Sequence, residues 1–323
     1  MSLPPLPRLF NLGNSCWCAA AVQALRAVGV VFHRQFKDNT LLARALRADR
    51  LSDTELRRLY TQSRKIIKAA ATTPEDPAEF LVALFDTDGV SCKAFESERT
   101  IVKCCDACGF VRTERLKECM MIIPRISNGV SPLQRALDTE FGFHVSSPHI
   151  SEEAVGACSA EEARDFVPAL GGIPGEEWWL CDDEHIKKVS LTSAAPYLVF
   201  YVERASGTRN MEVDREDTFA DPEELDEETI SMLLPTVSQT QELDCEGKCK
   251  GKKTKHSVFV GSYEASDVLI VHVQCPKLMP LNHVERTLFA SEEKVNDNQV
   301  PFDLVAMVCR VGTCHYVCYR RIF

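Results

Sequence analysis

From about residue 99 the sequence changes texture, and that change limits the folds open to the chain. Before it lie helix-forming stretches. After Cys16 the run CAAAVQALRAV holds strong helix formers and no proline, which predicts a helix to about Val28. A second helix is expected from Ser52, where SDTE offers Ser52 and Glu55 as a capping box and Leu56, Leu59, Tyr60, Ile66 and Ile67 make one apolar stripe. A third follows Pro74 in EDPAEFLVALF. After the change come short β-rich runs: RTIVKC, CMMIIP, YLVFYV, VLIVHVQ, DLVAMVC and HYVCYR. Helices first and strands afterwards, without βαβ alternation, predict an α+β fold with a mainly antiparallel sheet.

Charge is informative once it is located. Residues 211–230 carry ten acids and a single Arg, so most of the chain's net charge of −10 sits in one segment. That segment reads as a solvated loop, part of an acidic insertion over 205–243, and not as a binding face. No run of about 18 apolar residues occurs, and MSLPPLPRLF has neither a basic nor an apolar leader region, so neither a membrane span nor an export signal is expected. Fifteen irregularly spaced cysteines in a reducing compartment point to metal ligation or catalysis before disulfides.

Three constellations carry chemistry. In NLGNSCWC, Cys16 follows a turn and opens a helix, where backbone N–H groups and the helix dipole favour a thiolate. KCCDACGF offers Cys105 and Cys108, and DCEGKCKGKKT offers Cys245 and Cys249; two such pairs on turns between β runs suit one tetrahedral zinc ion. Incidental buried thiols remain the alternative there, and the neighbouring Cys104 shows that not every cysteine need be a ligand. His315 begins a strand near the end of the sequence, from which an imidazole can serve a thiol on another element as its base. In WWLCDDEHI a turn with Asp182 and Asp183 could present a carboxylate to an imidazole, or be no more than an acidic turn.

Together these pieces resemble the ubiquitin-specific protease family. LFNLGNSCWCAAAVQAL is similar to that family's Cys box, with Cys16 at the nucleophile and Asn11 at the oxyanion-hole position. EDPAEFLVALF resembles the segment whose acids meet the modifier's C-terminal tail, with Asp76 and Glu79 matching. His315 and Tyr316 match the His box, Asp182 the third triad position, and Asp183 the acid beside it. The resemblance implies a papain-like cysteine protease with a helical thumb (1–98), zinc-ribbon fingers (99–142 and 244–262) and an antiparallel β palm (174–204 and 263–323) in a single catalytic domain spanning 1–323. It also implies a structural zinc ion on Cys105, Cys108, Cys245 and Cys249. The expected partners are ubiquitin or a ubiquitin-like modifier and its conjugates, with no nucleic acid or membrane, in the cytoplasm or nucleus. CEGKCKGKKTK and YLVFYVER lean toward the branch that removes the interferon-induced modifier.

The departures are specific. Here the Asp element precedes the His element, between the two cysteine pairs, which is a transposition relative to the family. Cys314 stands where the family has glycine, and Ser15 where it has threonine. Because strand order along a chain does not fix strand order in space, an intact site stays open. So does a catalytically impaired modifier-binding module of the same fold, or a zinc-ribbon scaffold with an inert Cys16.

Overall fold

The carbonyl of Ser15 accepts from the N–H groups of Cys18 and Ala19 and starts the first helix, α1 (Cys16–Val31). In the computed structural model the described residues are 15–31, 40–47, 52–68, 75–88, 93–123, 133, 136–137, 177–181, 186–191, 193–204, 239–274, 279–280, 284, 286–291, 299–312 and 315–321. Asn11, Asp182, Asp183 and residues 205–238 lie outside them.

Residues 16–22, 24, 25, 27 and 28 of α1 belong to the core, and Gln23 and Arg26 are buried with them. A helix buried on every side has no face for solvent, and it must be enclosed by other elements. Helix α2 (Leu41–Leu46), capped by the Thr40 hydroxyl on the Ala43 N–H, lies against it so tightly that a Cβ on Gly29 would sit 1.8 Å from the Leu46 carbonyl oxygen. Helix α3 (Asp53–Ile66) begins at the expected capping box, where Glu55 accepts from both the N–H and the hydroxyl of Ser52. Leu56, Leu59 and Tyr60 of its stripe are buried, while Ile66 and Ile67 pack at the margin. Helix α4 (Pro77–Asp88) closes the group, with Phe80 edge-on to Trp17 at 5.6 Å. Burial of an aromatic of this size contributes about 1.5–3 kcal/mol.

The strands are β1 (Ser97–Cys105), β2 (Val111–Glu118), β3 (Met121–Ile123), β4 (Glu177–Cys181), β5 (Ile186–Ser190), β6 (Ser193–Ala194) and β7 (Pro196–Glu203). They continue as β8 (Gln239–Asp244), β9 (Lys253–Glu264), β10 (Val268–Val273), β11 (Met279–Pro280), β12 (Thr287–Ser291), β13 (Gln299–Val311) and β14 (His315–Arg321). One antiparallel sheet runs β2-β1-β9-β8. A larger sheet runs β3-β10-β7-β13-β14-β4-β5, with β12 paired to β13; among the described residues its one parallel pair is β3–β10. The α+β expectation with a mainly antiparallel sheet therefore holds. One boundary moves: residues 239–243, expected at the end of the acidic insertion, are strand, because they pair with β9 from Gln239↔Val258 to Asp244↔Lys253.

The large sheet separates two apolar clusters. Leu198, Phe200 and Val202 of β7 face the helices, whereas Val199 and Tyr201 join Trp178 and Phe302 on the opposite face. Strand alternation dictates this division. It fails at two places in the β7–β13 pair. Leu304 pairs with Tyr201 but Ala306 with Phe200, so Val305 is an extra residue and lies with Ala306 on the helical side. Val308 pairs with Leu198 but Cys309 pairs with Pro196, so Tyr197 is an extra residue in a bulge and turns to the same face as Leu198. Among the described residues no helix is long and apolar enough to cross a membrane.

Candidate active site and metal centre

Cys16 and Cys18 share one helix but not one environment. Cys18 is wholly buried, and burial pushes its thiol up to about 12 despite a hydrogen bond with Ser63. Such a thiol is protonated and inert at neutral pH. Cys16 instead occupies the first helical position, 6% exposed, at the positive end of the helix dipole.

Helix α1 packs against β14 and β13. The first residue of β14 is His315, opposite Val311 across the β13–β14 hairpin and part-exposed, and the second is the buried Tyr316. On its other edge β14 pairs with β4, from Arg321↔Trp178 to Cys318↔Cys181. The strand that runs into the Asp element is thus a direct neighbour of the strand that starts with the histidine, despite their inverted order in sequence. Asp182 and Asp183 follow Cys181 immediately but are outside the described residues, as is Asn11.

The acids of α4 behave differently from each other. Glu79 is exposed. Asp76 caps the helix: its Oδ1 accepts from the N–H of Ala78 at 2.6 Å, and more distantly from that of Glu79. Its Oδ2 accepts the hydroxyl proton of Tyr197. Tyr197 in turn packs with its ring 5.3 Å from that of Tyr316 and 4.7 Å from the imidazole of His272. Burial, followed by the Asp76 carboxylate, holds the Tyr197 hydroxyl in its protonated, donating form. Burial also keeps His272 neutral over a wider pH range, with Asp76 opposing weakly. Tyr197 and His272 were not singled out from sequence. Both sit inside apolar strand runs, and Tyr197 gains its direction from a bulge.

Away from these residues, Cys105, Cys108, Cys245 and Cys249 bring their sulfurs within 4.8 Å of one another. Cys108 and Cys245 Sγ lie 3.6 Å apart. A disulfide needs about 2.05 Å. Four sulfurs at about 2.3 Å from a central zinc ion stand about 3.8 Å from each other, which this spacing fits. Each pair sits on a turn closed by a left-handed glycine, Gly109 at φ +68° and Gly251 at φ +77°. The turns are fixed by Gly109 N–H to Cys105 O, Cys105 N–H to Phe110 O, and Lys252 N–H to Cys249 O. The N–H of Gly247 donates to Cys245 Sγ at 3.3 Å. The backbone at Phe110 draws the Cys108 thiol down to about 6, whereas its hydrogen bond with Cys108 raises Cys249 to about 12. Cys104, beside them, lies outside the cluster. The donor set and its spacing suit a tetrahedral thiolate-bound ion such as zinc.

Among solved structures, a 10% identical match is the catalytic unit of Neurospora crassa Pan2, its protease and nuclease domain, over 94% of this chain and 57% of that one, with a TM-score of 0.24. No curated protein matches the sequence. The family model described as ubiquitin carboxyl-terminal hydrolase matches residues 7–322. That span takes in the helices, both sheets and both cysteine pairs, and it bears out the resemblance drawn from the Cys box: the chain belongs to the ubiquitin carboxyl-terminal hydrolase family, whose fold is papain-like.

Proposed function

We propose that the chain is a thiol-dependent isopeptidase that cleaves ubiquitin, or a ubiquitin-like modifier, after its C-terminal Gly-Gly. The observation that carries this reading is the packing of the helix begun by Cys16 on the strand begun by His315, with β4 as that strand's other neighbour. The Cys16 thiolate attacks the glycine carbonyl while His315 holds the proton. The tetrahedral oxyanion is met by Asn11 and by N–H groups at the start of α1. Collapse expels the lysine ε-amine, which takes its proton from His315. Water, deprotonated by His315, then releases the modifier from the thioester. Asp182 orients the imidazole, and Asp183 supports the oxyanion or the modifier's tail.

In this reading the helices form the thumb, the four-stranded sheet the fingers and the large sheet the palm of one catalytic domain. Cys105, Cys108, Cys245 and Cys249 would hold a structural zinc ion, which contributes folding free energy and no chemistry. In this reading Glu79 and Tyr316 meet the modifier's tail. Residues CEGKCKGKKTK and YLVFYVER favour the interferon-induced modifier over ubiquitin, and the cytoplasm or nucleus is where such conjugates are met.

The test is covalent capture by ubiquitin and by ubiquitin-like modifiers carrying a C-terminal electrophile, alongside turnover of the matching fluorogenic substrates. Capture and turnover by the wild type, both abolished in Cys16→Ala, are expected. Capture without turnover would mark an impaired binding module, and no capture by any modifier would end the proposal.

A further inference from the structure

Tyr197 is placed by a defect in the sheet. In a regular strand it would share the face of Val199 and Tyr201, away from the helices. The slip between Val308↔Leu198 and Cys309↔Pro196 turns it over, so that two successive side chains of β7, Tyr197 and Leu198, point toward the helical side. Bulges re-aim side chains in this way beside functional sites. What the re-aimed ring reaches is specific. Its hydroxyl donates to Asp76 Oδ2, and Asp76 Oδ1 caps α4, whose Phe80 packs on Trp17, the residue after Cys16. Its ring packs on Tyr316, the residue after His315. A single side chain therefore touches the support of the thiol-bearing helix and the support of the histidine-bearing strand.

We infer that Tyr197 is a positioning residue: its bond to Asp76 latches the helical layer to the sheet and so sets the approach of His315 to Cys16. This rests on the reading of those two residues as the reacting pair. It also gives Asp76 a role different from the one its resemblance implies, because both of its oxygens are engaged within the protein. Burial and the Asp76 carboxylate hold the Tyr197 hydroxyl in its protonated, donating form. The groups facing the Tyr197 hydroxyl and ring are Asp76 at the cap of α4, Tyr316 from β14, Arg310 from β13 and His272 from β10.

The test uses the full chain and the variant Tyr197→Phe, which keeps the ring and removes the hydroxyl. Two readouts are taken: kcat and KM on the fluorogenic modifier substrate that the wild type turns over, and the pH profile of Cys16 alkylation by iodoacetamide. The latch predicts a fall in kcat of about tenfold, on the scale of one hydrogen bond to a charged group, with KM within twofold. It also predicts an alkylation profile displaced toward that of His315→Ala. Asp76→Asn should give a similar loss, and the double variant should lose little more than either single one. A Tyr197→Phe protein that is less stable but has wild-type kcat and alkylation profile would reduce Tyr197 to packing and overturn the inference. If His315→Ala itself leaves the alkylation profile unchanged, the reading of the reacting pair fails instead, and with it the latch.

Discussion

Cys181 of β4 lies directly opposite Cys318 of β14 in an antiparallel pair. One residue beyond Cys181 in sequence is Asp182, and three before Cys318 is His315. The strand that leads to Asp182 and the strand that begins with His315 are therefore hydrogen-bonded neighbours, although they lie far apart in sequence.

If this adjacency completes the site, Asp182→Ala slows modifier turnover by at least an order of magnitude with little change in affinity. Loss of the orienting carboxylate costs about 10⁴ in serine triads, and a cysteine, already partly ionised, depends on it less. Steady-state kinetics with a fluorogenic modifier check this. Wild-type rates would show that His315 has another partner.

Removing the metal should unfold part of the molecule and not merely silence it. The four thiols tie the β1–β2 turn to the β8–β9 turn, so their ion would contribute to folding free energy. Purified protein should contain one zinc per chain. Cys105→Ala should lose it and melt at lower temperature, and acidification should release it as the thiolates are protonated. Metal analysis finding none would refute the site.

Gly29→Ala should be among the most damaging single-methyl changes in the chain. The added carbon would meet the backbone of Leu46, which has no side-chain freedom with which to yield. Forcing α1 and α2 apart should cost at least about 2 kcal/mol, at the upper part of the range for overpacking. Thermal denaturation of the variant against the wild type measures it.

Acid should weaken the tie between β7, β12 and β13. Burial pushes the Asp303 carboxyl up, but hydrogen bonds from Arg204 at 2.5 and 2.8 Å and from Thr287 at 2.8 Å outweigh it and hold the group below its ordinary 3.8. A depressed carboxylate contributes stability that is complete above its unfolded pKa and is lost as pH falls through the folded one. Between about pH 5 and pH 2 the wild type should therefore lose stability that Asp303→Asn, already without it, does not lose. Parallel acid titrations by circular dichroism decide it.

The parts legible in the sequence were those written locally. The Ser52–Glu55 box and the alanine-rich run after Cys16 each specify a helix start within a few residues. The paired cysteines mark their own cluster because the turn chemistry of Gly109 and Gly251 travels with them. Helix α2 left no such mark, since the six residues LLARAL are too short to display a period. Strand β2, VRTERLKE, reads as solvated chain, and becomes a strand only through partners such as Arg99–Glu118 and Lys103–Glu114 across the β1–β2 pair. The direction of Tyr197 was hidden for a deeper reason: it depends on which residues of β13 pair with β7, and that register is written in neither strand alone.

The interior position of β14, between β13 and β4, also bears on how the protein comes into being. The ribosome delivers β4 and β5 long before residue 315, and until then these strands have no route to the rest of their sheet. Helix α1 meanwhile lacks β13 and β14, the strands it packs against most. The nascent chain must hold an unpaired strand edge and a partly covered helix until β14 inserts, which invites chaperone capture during synthesis. If His315 is the base of the proposed reaction, that delay also acts as a safeguard, because a protease assembled in this order stays inert until translation has passed residue 315.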